Sequence, residues 1–444
     1  MKPVVPKPVR RRMQIVDDEA QFHPAYVVWE LTLRCDHACA HCGSRAGAAR
    51  DDELSTEKAL AVVDELAALG AREVVLIGGE AYLHDGFLPV VRKLKSKGIR
   101  PTMTTGGKGI TAALAAQMKD AGVHAVSVSV DGLRDQHNLM RQSRHSFDGA
   151  MAAIDHLRAA RIVVAANTNV NRLNAPDLEE LFEQLSARGI AAWQVQITVP
   201  LGRAADRPQL LLQPYDLLDV VPRVAALKRR AFARGITLMP GNNLGYFGPE
   251  EALLRSPHDV DAPAADGGPA VRDHWQGCQA GKLVMGIESD GGVKGCPSLQ
   301  SVSYVGGSLR SRSLEDLWRH TPELGFNRAR GVDDLWGLCR SCEFAEVCKG
   351  GCTFTAHAIF GRPGNNPYCH FRARTLAKDG KRERLVAADA AAGTPFDSGL
   401  FDVVIEDLNA PEPGVSPAGS ALIAIGRAPR SKQSLPSALS PEQT

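Results

Sequence analysis

Three cysteines, Cys35, Cys39 and Cys42, are separated by three and then two residues. They directly follow the segment Tyr26 to Thr32, whose β-branched and aromatic residues predict a strand. Three soft thiolates can ligate three irons of a [4Fe–4S] cluster and leave the fourth iron without a protein ligand. The spacing therefore predicts an iron–sulfur site with one open iron, which can bind a cofactor or a substrate.

Seven further cysteines lie between residues 278 and 369, and together with the first three they account for all ten in the chain. In a reducing compartment, closely spaced cysteines indicate metal binding rather than disulfides. This stretch has little regular periodicity, so we expect metal sites to organise its fold more than a hydrophobic core does. The seven are Cys278, Cys296, Cys339, Cys342, Cys348, Cys352 and Cys369.

Short β-branched segments alternate with amphipathic stretches from about residue 25 to 240. This alternation is typical of repeated βα units around a parallel sheet, and it predicts an α/β fold with a partial (βα)6 TIM-like barrel, because a complete eight-unit barrel needs about 250 residues. Active sites of such barrels lie at the carboxyl ends of the strands. The predicted strands are Tyr26 to Thr32, Glu73 to Ile77, Arg100 to Thr104, Ala125 to Val130, Val163 to Asn169 and Trp193 to Thr198.

The rest of the chain divides by composition. We predict an N-terminal extension over 1–24, a bridging segment rich in Gly, Pro and Asp over 241–277, and a small cysteine-rich domain over 278–377. Residues 386–444 are rich in Ala, Pro, Ser and Gly and are predicted to be a disordered tail.

The overall composition places few other demands on the chain. The 444 residues carry a formal net charge of +2, and 44% of them are hydrophobic. This net charge gives no strong positive potential that would attract nucleic acid. The sequence also has no run of about 20 apolar residues that could span a membrane. We expect a cytoplasmic protein that binds neither nucleic acid nor membranes.

The first cysteine motif resembles that of the radical S-adenosylmethionine (SAM) superfamily, and two further motifs match the same family. Gly78-Gly79-Glu80 follows the second strand, and Ser127-Val-Ser129-Val-Asp131-Gly132 ends the fourth. The resemblance implies that the open iron binds SAM and that Cys35, Cys39 and Cys42 are catalytic. It also implies that Gly78, Gly79 and Glu80 bind SAM, with Glu80 accepting from its amino group. By the same resemblance, Ser129 and Asp131 lie near the ribose of SAM and Arg141 pairs with its carboxylate. Asn169 and Gln196, on the fifth and sixth strands, are further candidates because their side chains can point toward the barrel mouth.

The second cysteine set resembles the SPASM domain, which follows radical SAM barrels and binds two auxiliary [4Fe–4S] clusters. By position, the resemblance implies that Cys278, Cys296 and Cys352 hold the first auxiliary cluster. It implies that the second is held by Cys339, Cys342, Cys348 and Cys369. The expected cofactors are thus SAM and three [4Fe–4S] clusters. Two auxiliary clusters present eight irons to seven cysteines, so we expect one auxiliary iron to be open or to take another ligand.

The resemblance implies a 5′-deoxyadenosyl radical that abstracts hydrogen, most readily from a ribosomally made peptide or protein. Expected partners are that substrate, a low-potential electron donor such as flavodoxin or ferredoxin, and a separate leader-peptide recognition protein, since about 25 residues precede the first strand. A small-molecule or porphyrin substrate is an alternative. A further alternative is an iron–sulfur electron-transfer or zinc-binding protein without radical chemistry, with His37 or His41 as a fourth ligand beside the first three cysteines.

Overall fold

The computed structural model describes residues 22–256 and 273–411. Its strands are β1 (Tyr26–Thr32), β2 (Glu73–Gly78), β3 (Arg100–Thr105), β4 (Ala125–Ser129), β5 (Val163–Val170), β6 (Ala192–Ile197), β7 (Thr237–Pro240), β8 (Val284–Ile287), β9 (Gly292–Lys294), β10 (Gly307–Ser308), β11 (Lys381–Asp389) and β12 (Leu400–Asp407). Its helices are α1 (Thr56–Ala68), α2 (Phe87–Ser96), α3 (Ala112–Ala121), α4 (Arg134–Arg141), α5 (Ser146–Ala159), α6 (Leu178–Ala187), α7 (Leu217–Ala233), α8 (Glu251–Arg255), α9 (Ser301–Tyr304), α10 (Leu314–His320), α11 (Pro322–Gly325), α12 (Ala345–Cys348), α13 (Thr353–Phe360) and α14 (His370–Lys378). In these ranges, no helix has the length and apolar character needed to cross a membrane.

Strands β1 to β7 lie side by side in chain order, and each neighbouring pair is parallel. Helices connect them, as the alternating pattern predicts, and this confirms the α/β class with a parallel sheet. One face of the strands packs against the helices through buried residues such as Val126, Val128, Trp193 and Val195. The opposite face forms the inside of the partial barrel. All six predicted strands are present, and β7 adds a seventh to the same edge.

Helix α1 illustrates why the helices form where the sequence indicates. The hydroxyl of Ser55 caps its first turn by accepting a hydrogen bond from the Lys58 N–H at 3.2 Å. Val63 and Leu66 lie on one face at helical spacing and are fully buried. Burying each of these side chains contributes about 1.5–3 kcal/mol, so the apolar stripe fixes the helix against the sheet.

The cysteine-rich region begins by extending the barrel sheet. Strand β8 pairs in parallel with β1, in a register that aligns Val28 with Gly286, and β9 and β10 continue the sheet in antiparallel order. A Cβ on Gly286 would lie 2.7 Å from the Cα of Pro297, so the loop after Cys296 packs closely on this strand. The predicted boundary at residue 278 therefore does not coincide with the edge of the sheet.

The prediction of a disordered tail from residue 386 is wrong for residues up to 411. Strands β11 and β12 form an antiparallel hairpin there, and its buried Leu385 and Phe401 join the main hydrophobic core. The carboxylate of Glu406 accepts hydrogen bonds across the hairpin from Arg382 at 2.8 Å and Arg384 at 3.0 Å. Cross-strand pairing of this kind depends on register and leaves little trace in composition. Residues 412–444 lie outside the described part of the chain.

Candidate active site

The first three cysteines lie in an irregular loop, residues 33–47, at the carboxyl end of β1; we call it the cysteine loop. The N–H of Cys35 donates to the carbonyl of Gly47 at 2.9 Å, which closes the loop on itself. The N–H of Ala40 donates to the carbonyl of Met140 on α4 at 2.7 Å. The loop is therefore fixed to the barrel at the end where barrel active sites lie.

The three thiols influence each other electrostatically. Burial, assisted by the negative charges of Glu80, Cys39 and Cys42, raises the pKa of the Cys35 thiol to about 12. Burial, assisted by Cys42, likewise raises the pKa of Cys39 to about 11. Three thiolates held this close repel each other unless a cation compensates them. A soft, multiply charged iron–sulfur cluster fits this donor set.

The two glycines that follow β2 pass directly beneath the cysteine loop. A Cβ on Gly78 would lie 2.1 Å from the carbonyl oxygen of Thr32, and one on Gly79 would lie 2.0 Å from that of Arg34. The N–H groups of Gly79 and Glu80 donate to these same two oxygens at 2.8 Å. The absence of a side chain at both positions therefore lets this turn lie against the backbone of the cysteine loop.

Glu80 is buried at the centre of the candidate site. Its carboxylate accepts hydrogen bonds from the Thr105 hydroxyl at 2.5 Å and from the Gly106 N–H at 2.6 Å. Burial raises its pKa to about 7. The ligand atoms of Glu80 and Cys35 lie within 4.8 Å of each other. Each carboxylate oxygen has a second lone pair, so Glu80 can still accept from an ammonium group beside the cluster site.

Asp131 and Arg141 form a buried ion pair next to the cysteine loop. Asp131 Oδ2 accepts from Arg141 Nε at 2.9 Å and Nη2 at 2.6 Å, and His41 Nε2 lies 3.1 Å away. Asp131 Oδ1 accepts from the N–H of Asn169 at 3.0 Å. Burial alone would raise the pKa of Asp131, but Arg141 and His41 hold it well below its usual range. Arg141 Nη1 also lies 3.6 Å from the sulfur of Cys39.

The roles expected of Asp131 toward the ribose and of Arg141 toward the SAM carboxylate remain predictions. In the structure the two side chains bind each other, because neither charge can stay uncompensated in a buried site. The spacing of the motifs does not reveal this pair, nor the contribution of His41.

Polar side chains form a row across the inner face of the barrel. The parallel register aligns Ser129 of β4 with Asn167 of β5, and Asn167 with Gln194 of β6. One step further along, Asn169 is aligned with Gln196, and its side-chain oxygen accepts from Gln196 Nε2 at 3.0 Å. The three predicted residues Ser129, Asn169 and Gln196 therefore share one surface. Asn167 belongs to it as well, and its buried Oδ1 has no hydrogen-bond partner within the described residues.

A segment after β6 supports the cysteine loop and is not evident from the sequence. The N–H of Arg203 donates to the carbonyl of Cys42 at 3.0 Å, and its Nη1 donates to the carbonyl of Cys39 at 3.1 Å. Gly202 has φ of +56°, and a Cβ there would lie 2.3 Å from the carbonyl oxygen of Gly43. More than 150 residues separate these partners in the chain, so no local pattern indicates the contact.

A buried charged group lies where β1 meets β8. Glu30 Oε1 accepts from Arg50 Nη2 at 2.9 Å and from the hydroxyl of Ser289 at 3.1 Å. Lys294 Nζ donates to Glu288 Oε1 at 2.7 Å. Burial raises the pKa of Glu30, and among the described residues its Oε2 has no hydrogen-bond partner. Asp290 Oδ2 also lies 3.4 Å from Arg50 Nη1, so three acids face two bases in this group.

Cys278, Cys296 and Cys352, the first auxiliary group, come together from separate elements. Cys278 precedes β8, Cys296 follows β9, and Cys352 lies at the start of α13. Burial, assisted by Cys278 and Cys352, raises the pKa of the Cys296 thiol to about 12. Burial and Cys278 raise that of Cys352 to about 11. The structure thus brings together the three cysteines expected to share one cluster.

The second auxiliary group comprises Cys339, Cys342, Cys348 and Cys369. Burial, assisted by the other three thiolates, raises the pKa of Cys348. Phe344 lies beside these cysteines, stacked on Phe247 with ring centroids 4.4 Å apart and edge-on to Phe371 at 5.0 Å. An apolar wall of this kind limits the access of water to a cluster, which tunes its potential.

Tyr246 touches both auxiliary groups. Its hydroxyl donates to the carbonyl of Asn242 at 2.6 Å and accepts the N–H of Cys352 at 3.1 Å. Its own carbonyl lies 3.8 Å from the sulfur of Cys369. The glycine-rich stretch before the cysteine-rich region therefore anchors the two groups to each other, a role that composition does not indicate.

Comparison with known proteins identifies two families in the chain. A model of the radical SAM superfamily matches residues 29–185, and a model of the SPASM iron–sulfur cluster-binding domain matches residues 278–343. An AdoMet-dependent heme synthase of Methanosarcina barkeri is 27% identical over 357 residues, covering 79% of this chain and 97% of that protein. The mycofactocin maturase MftC of Mycolicibacterium smegmatis is 28% identical over 354 residues, covering 78% and 82%.

Solved structures share the fold. SuiB of Streptococcus suis bound to S-adenosylmethionine aligns with a TM-score of 0.60 at 16% identity, covering 78% of this chain and 76% of that one. The structure of anSMEcpe with AdoMet and the Cp18Cys peptide aligns with a TM-score of 0.59 at 16% identity, covering 79% and 94%. The motifs, the fold and both family models agree: the chain belongs to the radical SAM superfamily and carries a C-terminal SPASM iron–sulfur domain.

Proposed function

We propose that this radical SAM enzyme modifies a ribosomally made peptide or protein. The observation that carries the proposal is that β3 to β6, beyond Arg100, present no charged side chain to the inside of the barrel. From Thr102 onward, the inward-facing residues of β3 to β6 are Thr102, Thr104, Ala125, Ser127, Ser129, Val163, Ala165, Asn167, Asn169, Ala192, Gln194 and Gln196. Their amides and hydroxyls match the alternating donors and acceptors of a polypeptide backbone.

The electrostatics of the barrel favour a peptide over a porphyrin. Porphyrins such as heme carry propionate carboxylates, whose binding in a buried site calls for unpaired Arg or Lys side chains. Of the cations around the cysteine loop, Arg141 and Arg50 pair with Asp131 and Glu30, and Arg203 and Arg207 donate to backbone carbonyls of the loop. The unpartnered oxygen of Asn167, by contrast, suits an amide N–H donor.

The three cysteine groups are the basis for proposing three [4Fe–4S] clusters. The cysteine loop would hold one, and the two auxiliary groups would hold one each. When bound, SAM and the first cluster supply a 5′-deoxyadenosyl radical that abstracts hydrogen from the substrate. Because the first auxiliary group has three thiols for four irons, we infer that one of its irons is open or takes another ligand.

The role proposed for the remaining site residues is to bind and orient SAM and the substrate. Glu80 would accept a hydrogen bond from the ammonium of SAM beside Cys35, and the Asp131–Arg141 pair fixes the polar wall next to Cys39. Ser129, Asn169 and Gln196 would contact SAM or substrate from the inner face that they share. The barrel excludes water, which protects a reactive radical from side reactions. Flavodoxin or ferredoxin would supply electrons, and a separate protein would deliver the leader peptide.

The experiment is anaerobic reconstitution with iron and sulfide, followed by incubation with SAM, reductant and synthetic peptides encoded by neighbouring genes. We expect 5′-deoxyadenosine to accumulate together with a changed peptide mass. The Asn167→Asp variant places a charge on the inner face and should lose peptide product while retaining SAM cleavage. Formation of 5′-deoxyadenosine with no mass change in any such peptide would contradict the proposal.

A porphyrin substrate is the second candidate. The similarity to the heme synthase of Methanosarcina barkeri extends over 97% of that protein, which favours it. The same reconstituted enzyme is therefore incubated with an iron porphyrin bearing propionates. Loss of carbon dioxide from the porphyrin, seen as a mass decrease, would support this candidate over the peptide.

A further inference from the structure

The turn between β11 and β12, residues 393–398, reaches the cysteine loop; we call it the hairpin tip. The N–H of Phe396 donates to the carbonyl of Gly43 at 3.1 Å, one residue after the last loop cysteine. The carbonyl of Asp397 accepts the N–H of Gly202 at 2.7 Å. Phe396 is buried, with 7% of its surface exposed. The tip is thus packed into the cysteine loop and into the segment that supports it.

Arg45 ties the hairpin tip to the cysteine loop through its side chain. Arg45 Nε donates to Asp397 Oδ1 at 2.8 Å, and its other two nitrogens donate to Asp206 at 2.6 and 2.8 Å. The side chains of Arg45 and Asp397 are 13% and 7% exposed. A forked guanidinium shared between two carboxylates in a partly buried site fixes both direction and distance.

The backbone on both sides of this contact is strained. Arg45 has φ of +49° and Phe396 has φ of +56°, in the left-handed region that residues with a Cβ rarely adopt. Such a conformation costs about 1–2 kcal/mol per residue and persists only where the surroundings determine it. A strained residue on each side of the contact indicates that the surrounding structure fixes the backbone there.

The hairpin tip also reaches toward the first auxiliary group. Lys294 Nζ lies 3.6 Å from the ring centroid of Phe396, a close cation–π contact. Lys294 is fully buried and comes two residues before Cys296. Phe396 therefore lies between the cysteine loop and the strand that leads to the auxiliary cysteines.

We propose that the hairpin tip is a brace that holds the cysteine loop in the geometry needed to bind SAM, with Asp397 acting through Arg45 and Phe396 through Gly43. Asp397 and Phe396 are positioning residues and touch no reacting atom. The family models match 29–185 and 278–343, and the tip lies outside both. The proposal requires the radical SAM family and does not depend on whether the substrate is a peptide.

The test compares full-length, reconstituted Asp397→Asn with the wild type. The readouts are iron content, the EPR spectrum of the reduced protein with and without SAM, and the apparent KM and kcat for SAM cleavage. We expect unchanged iron content, a reduced SAM-dependent change in the EPR spectrum, and an apparent KM for SAM raised about tenfold, equal to about 1.4 kcal/mol. The matched control is Asp402→Asn, an exposed aspartate on the same hairpin that should behave as wild type.

Asp397→Glu, which restores the carboxylate, should recover part of the SAM affinity. Combining Asp397→Ala with Arg45→Ala should cost less than the sum of the two single effects, because the interaction that the two residues share is lost only once. If Asp397→Asn does not fold, Arg45→Lys, which keeps the charge and loses the fork, carries the same expectation. A variant that only lowers the melting temperature, with SAM-dependent EPR and KM as in wild type, overturns the proposal. A double variant whose change in KM for SAM equals the product of the two single changes also overturns it, because the two residues are then not coupled.

Discussion

Replacing Asp131 by Asn tests whether the buried ion pair organises the site. The variant keeps the volume of the side chain and removes the charge that Arg141 faces at 2.6 Å. Asp131 is fully buried and Arg141 is 8% exposed, so water cannot replace the lost partner. Breaking a buried pair by removing one partner costs about 3–5 kcal/mol.

The helix that carries Arg141, α4, also provides an exposed ion pair as a matched control. Arg134 of α4 pairs with Asp148 at 2.5 Å, with both side chains more than half exposed. Exposed pairs contribute about 0–1 kcal/mol, so Asp148→Asn should have little effect. The assay is equilibrium unfolding of the metal-free protein in urea. With a slope of about 3 kcal/mol per molar, a loss of about 4 kcal/mol lowers the midpoint by about 1.3 M. Equal midpoint shifts in Asp131→Asn and Asp148→Asn would refute the reasoning.

Three further substitutions probe other parts of the site. Gly79→Ala places a Cβ 2.0 Å from the Arg34 carbonyl oxygen, so overpacking should destabilise the protein by about 1–3 kcal/mol and lower the iron content of the cysteine loop. The imidazole of His137 accepts the Asp131 N–H, and burial lowers its pKa to about 3. The unfolded chain therefore binds a proton below pH 6.5 that the folded chain does not. As the pH is lowered to 5.5, this group reduces the free energy of unfolding by about 1.4 kcal/mol. His137→Asn should lose this pH-dependent component in unfolding experiments between pH 7.5 and 5.5, and a wild-type slope would contradict it. Tyr246→Phe removes the hydroxyl that accepts a hydrogen bond from the Cys352 N–H in the first auxiliary group. It should lower the free energy of unfolding by about 1–3 kcal/mol and reduce the iron content of the auxiliary groups, measured by iron analysis.

The sequence predicts well the features that are local along the chain. The βα alternation depends on the periodicity of each segment, and the six predicted strands are all present in the sheet. The cysteine motifs depend on spacing within short loops. The grouping of Cys352 with Cys278 and Cys296 came from family resemblance, and the structure brings these three together.

Features that depend on residues far apart along the chain could not be predicted from the sequence. Strand β8 has only four residues, including Gly286, and forms because β1 offers a free edge. Strand β11 carries charged residues that look solvent-exposed, yet Glu383 is buried in a pair with Arg372. The contact between Arg45 and Asp397 spans 352 residues of the chain. In each case tertiary pairing, not local propensity, decides the structure.

The most direct measurement of the central claim is 5′-deoxyadenosine formation by reduced, anaerobically reconstituted protein. Replacing Cys35, Cys39 and Cys42 together by Ala should abolish it, because no thiolate then remains to hold the SAM-binding cluster. Replacing Cys369 by Ala should leave SAM cleavage in place while product is lost, since only the second auxiliary group is affected. A triple variant that still forms 5′-deoxyadenosine from SAM would contradict the assignment of the cysteine loop as the site of radical formation.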